Sequence, residues 1–155
     1  SKLSEDLLYT KTNEELLQKL HFSNWTLDKY NINYNKINLI QNFEIKQEYI
    51  YWCKLGINIK EELNKYRPCI IWKYSKNRKM VTVIPLTSQK YKDNYYFHYD
   101  LTGLDKKSSA RIENLANISI FRIKQPYFYN NKFIKISNED KNNIIKIIKK
   151  YYAFE

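Results

Sequence analysis

The chain of 155 residues has little of what loops, staples and metal sites are built from. It holds 2 glycines and 3 prolines, too few for long flexible linkers. Its 2 cysteines, Cys53 and Cys69, each sit in an apolar, strand-like run, and neither belongs to a CxxC pair. That argues against a disulfide framework and a cysteine-based zinc site, and two buried, reduced thiols are expected. The 2 histidines, His21 and His98, stand in distant segments, a poor basis for a two-histidine ribonuclease. No apolar run reaches the roughly 18 residues that a membrane helix needs. The first residues are polar and charged and show no signal-peptide pattern. A cytoplasmic protein without membrane contact is expected. There is no P-loop, no GxGxxG and no clear carboxylate cluster for metal-dependent nuclease chemistry. Neither a metal nor a cofactor is expected.

Acidic residues are scarce too, with 16 against 27 lysines and arginines and a formal net charge of +11. Residues 1–45 carry 5 basic and 6 acidic side chains, and residues 46–155 carry 22 and 10. The basic character therefore belongs to the C-terminal two-thirds. Such an excess attracts polyanions, nucleic acid first among them. The wealth of Lys, Asn, Ile and Tyr also fits an AT-rich genome, so charge alone does not decide the partner.

The patterning divides at the same place. Residues 1–45 read as two or three short helices. Ser4 is a candidate N-cap, and Leu16, Leu17 and Leu20 share one helical face. From Glu48 the runs become aromatic and β-prone. "EYIYWCKL", "PCIIWKY", "MVTVIPL", "YYFHYDL", "ARIENL" and "NISIFRI" read as short strands, with a turn at "KNRK" and another at Gly103. Short strands with brief turns predict a small antiparallel barrel or sandwich. The chain ends in a helix with Ser137 as N-cap and Ile144, Ile147, Ile148 and Tyr151 on one face.

Polar residues at strand ends carry the chemistry. Arg67 precedes the strand of "RPCIIW", and Pro68 fixes φ there and holds Arg67 extended. Thr87 and Ser88 end the strand of "VIPLTSQ". A hairpin between these strands sets Arg67 close to Thr87 and Ser88. A guanidinium and two hydroxyls at one sheet edge suit a phosphate. In "SSARIENL", Arg111 and Glu113 stand two apart on an expected strand and point to one face. Such a pair is often a surface ion pair of little worth, and it could equally serve as an acid and a base across a phosphodiester.

In this order, "YIYWCKLG", "ELNKYRPCIIW", "VTVIPLTSQ" and "SSARIENL" resemble the MazF/PemK family of toxin endoribonucleases over about residues 48–125. The resemblance implies an α+β fold, an SH3-like antiparallel barrel with a C-terminal helix, formed by residues 46–155 after a helical extension of residues 1–45. It also implies a homodimer, a labile antitoxin partner and metal-independent cleavage of single-stranded RNA. By position it makes Arg67 and Thr87 catalytic, gives Ser88 a supporting contact to phosphate, and matches Arg111 and Glu113 to an acid and base. Glu62 matches a loop glutamate, although "KEELNKYRP" departs from the family's Gly-x-Glu-Gln. Ala116 stands where many relatives have a second arginine.

The expected reaction is attack of the RNA 2′-OH on the adjacent phosphorus, leaving 2′,3′-cyclic phosphate and 5′-OH ends. Arg67 would offset the growing negative charge, and Glu113 would take the 2′-proton with Arg111 beside it. Tyr66, Tyr95, Tyr96 and Tyr99 are candidates for base stacking, and His98 for a hydrogen bond to RNA. Tyrosines that fill a small barrel are the plain alternative. Two other functions stay open: a barrel that binds nucleic acid without cutting it, and a CcdB-like toxin aimed at a protein.

Overall fold

The computed structural model describes residues 18, 20, 43–56, 66–88, 93–104 and 107–154. The strand pairings among them are antiparallel. β1 (Ile50–Lys54), β2 (Tyr66–Tyr74) and β3 (Met80–Thr87) form the centre. β4 (His98–Asp100) and β5 (Ser109–Arg111) extend one side, and β7 (Ile123–Pro126) lies on the far side of β1. The path is β4-β5-β3-β2-β1-β7, with β6 (Ala116–Ser119) also on β3. On the edge away from β2, β3 therefore serves two partners, β6 along Met80–Val83 and β5 at Leu86–Thr87. That split lets one sheet curl into the expected barrel.

The central strands read as continuous apolar runs because both of their faces are covered. Ile50, Ile70 and Ile84 are cross-strand neighbours in one row. They join Leu86, Ala110, Ile112 and Ile144 in one core. The alternate residues Tyr51, Cys53, Cys69, Ile71 and Val83 point the other way, into a second core with Ile118 and Ile123. Both thiols are outside any disulfide and buried, as expected. Burial, and then Cys53 beside it, pushes the Cys69 thiol well up.

The helix α1 (Asn138–Tyr151) closes the first core through Ile144, with Ile147, Ile148 and Tyr151 against it. Ser137 caps it and accepts a bond from the Asp140 backbone at 3.1 Å. Asp140 is itself buried. It accepts from the Tyr99 hydroxyl and the Thr102 hydroxyl, each at 2.8 Å, and from the backbone N–H groups of Thr102 and Gly103. One carboxylate thus ties the turn after β4 to the helix. Burial and the Asp140 carboxylate push the Tyr99 phenol up to about 12.

Several expectations change. The aromatic run 95–101 is a strand only over His98–Asp100, because the Asp93 carboxylate takes the Tyr95 N–H and bends the chain. "NISIFRI" is two strands separated by a 3-10 turn at Ile120–Arg122, where Ser119 accepts from the Phe121 N–H. β5 stops at Arg111, so Glu113 stands in a 3-10 turn (Ile112–Asn114) and not on the strand. A hairpin of β8 (Phe128–Tyr129) and β9 (Lys132–Phe133) was not foreseen.

Most of the segment 1–45, and Glu62, lie outside the described residues. Gln18 and Leu20 are helical. At the segment's end Ile45 is buried in the second core with Phe43 against it. The Tyr51 hydroxyl donates to the Glu44 carbonyl at 2.8 Å, and the Tyr74 hydroxyl donates to that of Ile45. Among the described residues no helix is long and apolar enough to cross a membrane.

Candidate active site

β2 begins where β3 ends. Cys69 pairs with Pro85, and two residues further along each strand stand Arg67 and Thr87. The expected meeting occurs. Arg67, Thr87, Ser88 and Ser108 line one cavity of about 170 Å³. That is many times what one water needs, room enough for a phosphate and the edge of a sugar. Pro68 lines it too and sets the local backbone of β2.

Three aromatic side chains share the lining. Trp52 stacks on Tyr66 at 5.1 Å between ring centroids and 12° between planes, and Tyr127 tilts against Trp52 at 5.4 Å. Tyr66 keeps 40% of its surface exposed. Of the tyrosines considered for stacking, it alone lines this cavity among the described residues. Tyr96 lies under the Lys150 ammonium at 4.2 Å, Tyr95 packs on Phe97 and His98, and Tyr99 is held by Asp140.

Arg111 and Glu113 belong to a separate, closed group. His98 Nδ1 is 2.6 Å from Asp93 Oδ2, and His98 Nε2 is 2.5 Å from Glu113 Oε1. Arg111 Nη1 donates to Asp93 Oδ2 at 3.0 Å and also meets His98 Nδ1. Arg111 is 3% exposed. The expected shared face for Arg111 and Glu113 is realised by another route: the 3-10 turn swings Glu113 onto the far edge of His98, and Arg111 holds the near edge. Both ring nitrogens of His98 therefore face protein carboxylates. Burial raises the Asp93 carboxyl, but hydrogen bonds from His98 and Arg111 outweigh it, and the net shift is downward. Glu113 Oε2 is buried with no hydrogen-bond partner among the described residues.

The sheet relates the two groups. Thr87, Ser109 and Asp100 oppose one another across β3, β5 and β4, and Arg111 opposes His98. Ser109 and Arg111 are two apart on β5, so they share a face about 7 Å apart. Thr87 of the cavity and Arg111 of the closed group thus stand on neighbouring rungs of one face. Asp93, Trp52 and Ser109 escaped the sequence reading. The last two stand in stretches that were singled out, whereas Asp93 marks only a turn before an aromatic run.

The sequence profile of the PemK-like, MazF-like toxins of type II toxin–antitoxin systems matches residues 46–151. The chain belongs to that family. MazF from Deinococcus radiodurans superposes with a TM-score of 0.58 at 12% identity, over 73% of this chain and 100% of that one. A MazE–MazF complex from the same organism gives 0.54 at 11% identity, over 74% and 100%. The Mycobacterium tuberculosis toxin MazF-mt6 gives 0.50 at 17%, over 69% and 98%. No curated relative matches the chain. The MazF/PemK match begins at residue 46, where the composition and the patterning both change.

Proposed function

We propose that this MazF/PemK-family chain is the toxin of a toxin–antitoxin pair and cuts single-stranded RNA by internal transesterification, without a metal. The observation that carries the reading is the convergence of Arg67, Thr87 and Ser88 on one phosphate-sized cavity beside an aromatic wall. The 2′-oxygen attacks phosphorus, and the bond to the 5′-oxygen breaks. Arg67 offsets the charge that grows on the nonbridging oxygens through two N–H bonds, and the Thr87 and Ser88 hydroxyls donate to one of them. Glu113 takes the 2′-proton. Its Oε1 is fixed by His98, and its buried Oε2 has no hydrogen-bond partner among the described residues, so Oε2 is the oxygen left to accept the proton once RNA opens the group to the cavity. Arg111 acts from behind by holding Asp93 and His98, with proton donation to the leaving oxygen as its second role.

Tyr66 offers its outer face to a base, as sequence-tolerant stacking needs. His98, proposed from sequence as an RNA contact, is better used in positioning Glu113, because both of its ring nitrogens are occupied. Glu62, outside the described residues, keeps its proposed part in RNA binding. A protein antitoxin, a homodimer and a cytoplasmic site of action complete the reading, supported by family membership and by the MazE–MazF complex among the structural neighbours.

The test is incubation with a long, defined single-stranded RNA in EDTA, followed by end mapping. Discrete cuts with 2′,3′-cyclic phosphate and 5′-OH ends are expected. RNA that is bound but left whole would favour the non-catalytic barrel, and RNA that is neither bound nor cut would favour a protein target.

A further inference from the structure

Two buried side-chain atoms lack a hydrogen-bond partner among the described residues, Glu113 Oε2 and Ser109 Oγ. The first belongs to the proposed base. The second has no role in the reaction as described. Ser109 is fully buried. A hydroxyl taken out of water and given no partner weakens the fold, so its presence calls for a reason.

Its position supplies one. Ser109 is the cross-strand partner of Thr87 on one side and of Asp100 on the other. Directly opposed residues of antiparallel strands point to the same face, with Cβ atoms about 4.5–5.5 Å apart. Rotation about one bond brings the Ser109 hydroxyl to Thr87. Asp100 offers an alternative acceptor, but Thr87 is the neighbour that lines the cavity, and Ser108 lines it as well.

We propose that Ser109 is a positioning residue that acts through Thr87. When phosphate enters the cavity, the Ser109 O–H donates to the Thr87 hydroxyl oxygen. The Thr87 proton is then directed at a nonbridging phosphate oxygen. Two hydroxyls in series polarise each other, which strengthens the outer donor. Burial keeps water from competing for the inner one. The inference rests on the cleavage reading above.

The test is a cycle of four proteins: wild type, Ser109→Ala, Thr87→Ala and the double variant. Single-turnover cleavage, RNA affinity and Tm are measured for each. Loss of a direct donor costs about 10²–10³ in rate, and loss of a residue behind it should cost about tenfold. Ser109→Ala is expected to cut about tenfold slower at an affinity within about twofold of wild type, with Tm equal or higher because an unpartnered hydroxyl has gone. In the Thr87→Ala background the same change should alter the rate by less than about twofold, since the two act in series. Equal rates for wild type and Ser109→Ala would overturn the inference. So would the same loss in both backgrounds, or a loss that tracks a fall in Tm. Wild-type protein that cuts no RNA would overturn the cleavage reading and Ser109's role with it. Cleavage that Ser109→Ala matches would overturn Ser109's role alone.

Discussion

The cavity at the strand ends and the closed group one rung away use the same residue types in opposite ways. Arg67 and its hydroxyl neighbours line a space that a phosphate can fill. Arg111 is sealed inside, against Asp93 and His98. A cation that lines an open cavity can meet charge that arrives with substrate. A cation closed on partly buried side chains holds structure in place and acts first through what it holds. Arginine near a carboxylate in a basic sheet is therefore not one kind of functional residue. Burial decides which kind it is. Truncations in the cavity should damage the rate and spare the fold, whereas truncations in the closed group should damage the fold as well.

The largest effect is expected at Arg111. Arg111→Ala leaves the Asp93 carboxylate, 18% exposed, short of a charge partner, and breaking a pair buried on one side only is expected to cost about 3 kcal/mol, the low end for buried pairs. Denaturant unfolding measures it. A loss under about 1 kcal/mol would dissolve the distinction between the two regions. Arg67→Ala is next, with a rate loss of about 10²–10³ and a Tm near that of wild type. A collapse of Tm in that variant would move Arg67 into the structural class. Asp140→Ala tests the scaffold that both regions share. It strips the Tyr99 and Thr102 hydroxyls of a buried acceptor and should cost about 3 kcal/mol, read by thermal unfolding. A cost near zero would show that the turn after β4 holds itself.

The smallest effect is acid sensitivity. The Asp93 carboxyl is held below its ordinary value of about 3.9, net of burial, by hydrogen bonds from His98 and Arg111. Between the folded and the unfolded value the unfolded chain binds more protons, so stability rises with pH there. The contribution is fully present above the unfolded value and lost as pH falls through the folded one. Asp93→Asn should therefore flatten the stability curve below about pH 4. An unchanged slope would remove Asp93 from the charge balance of the group.

The two regions also differ in how far they can be read from sequence. The cavity is legible. Its residues flank apolar runs long enough to be strands, and one hairpin rule places Arg67 beside Thr87. Those runs are continuous because β1 to β3 are covered on both faces. The closed group is only half legible. Arg111 and Glu113 stand in a recognisable motif, but their meeting depends on a 3-10 turn and on His98 and Asp93, which lie 13 and 18 residues from Arg111 in the chain. No local pattern encodes contacts at such separations. The missed β8–β9 hairpin did carry a signal. Asn130 and Asn131 both adopt positive φ, 49° and 61°, and an Asn pair in a two-residue turn favours that geometry. Ser109 gave none, because a serine is conspicuous only once its hydroxyl is seen to be buried and unpartnered.

The central claim is that the RNA supplies its own nucleophile to the cavity of Arg67 and Thr87. Once a cleavage position has been mapped, the most direct test is an RNA with a single 2′-deoxy nucleotide on the 5′ side of that position, incubated with the protein in EDTA. The account predicts binding as tight as that of the unmodified RNA, no cut at the modified position, and undiminished cutting at other sites. A cut at the deoxy position would contradict it, because the attacking oxygen would then have come from water or from the protein.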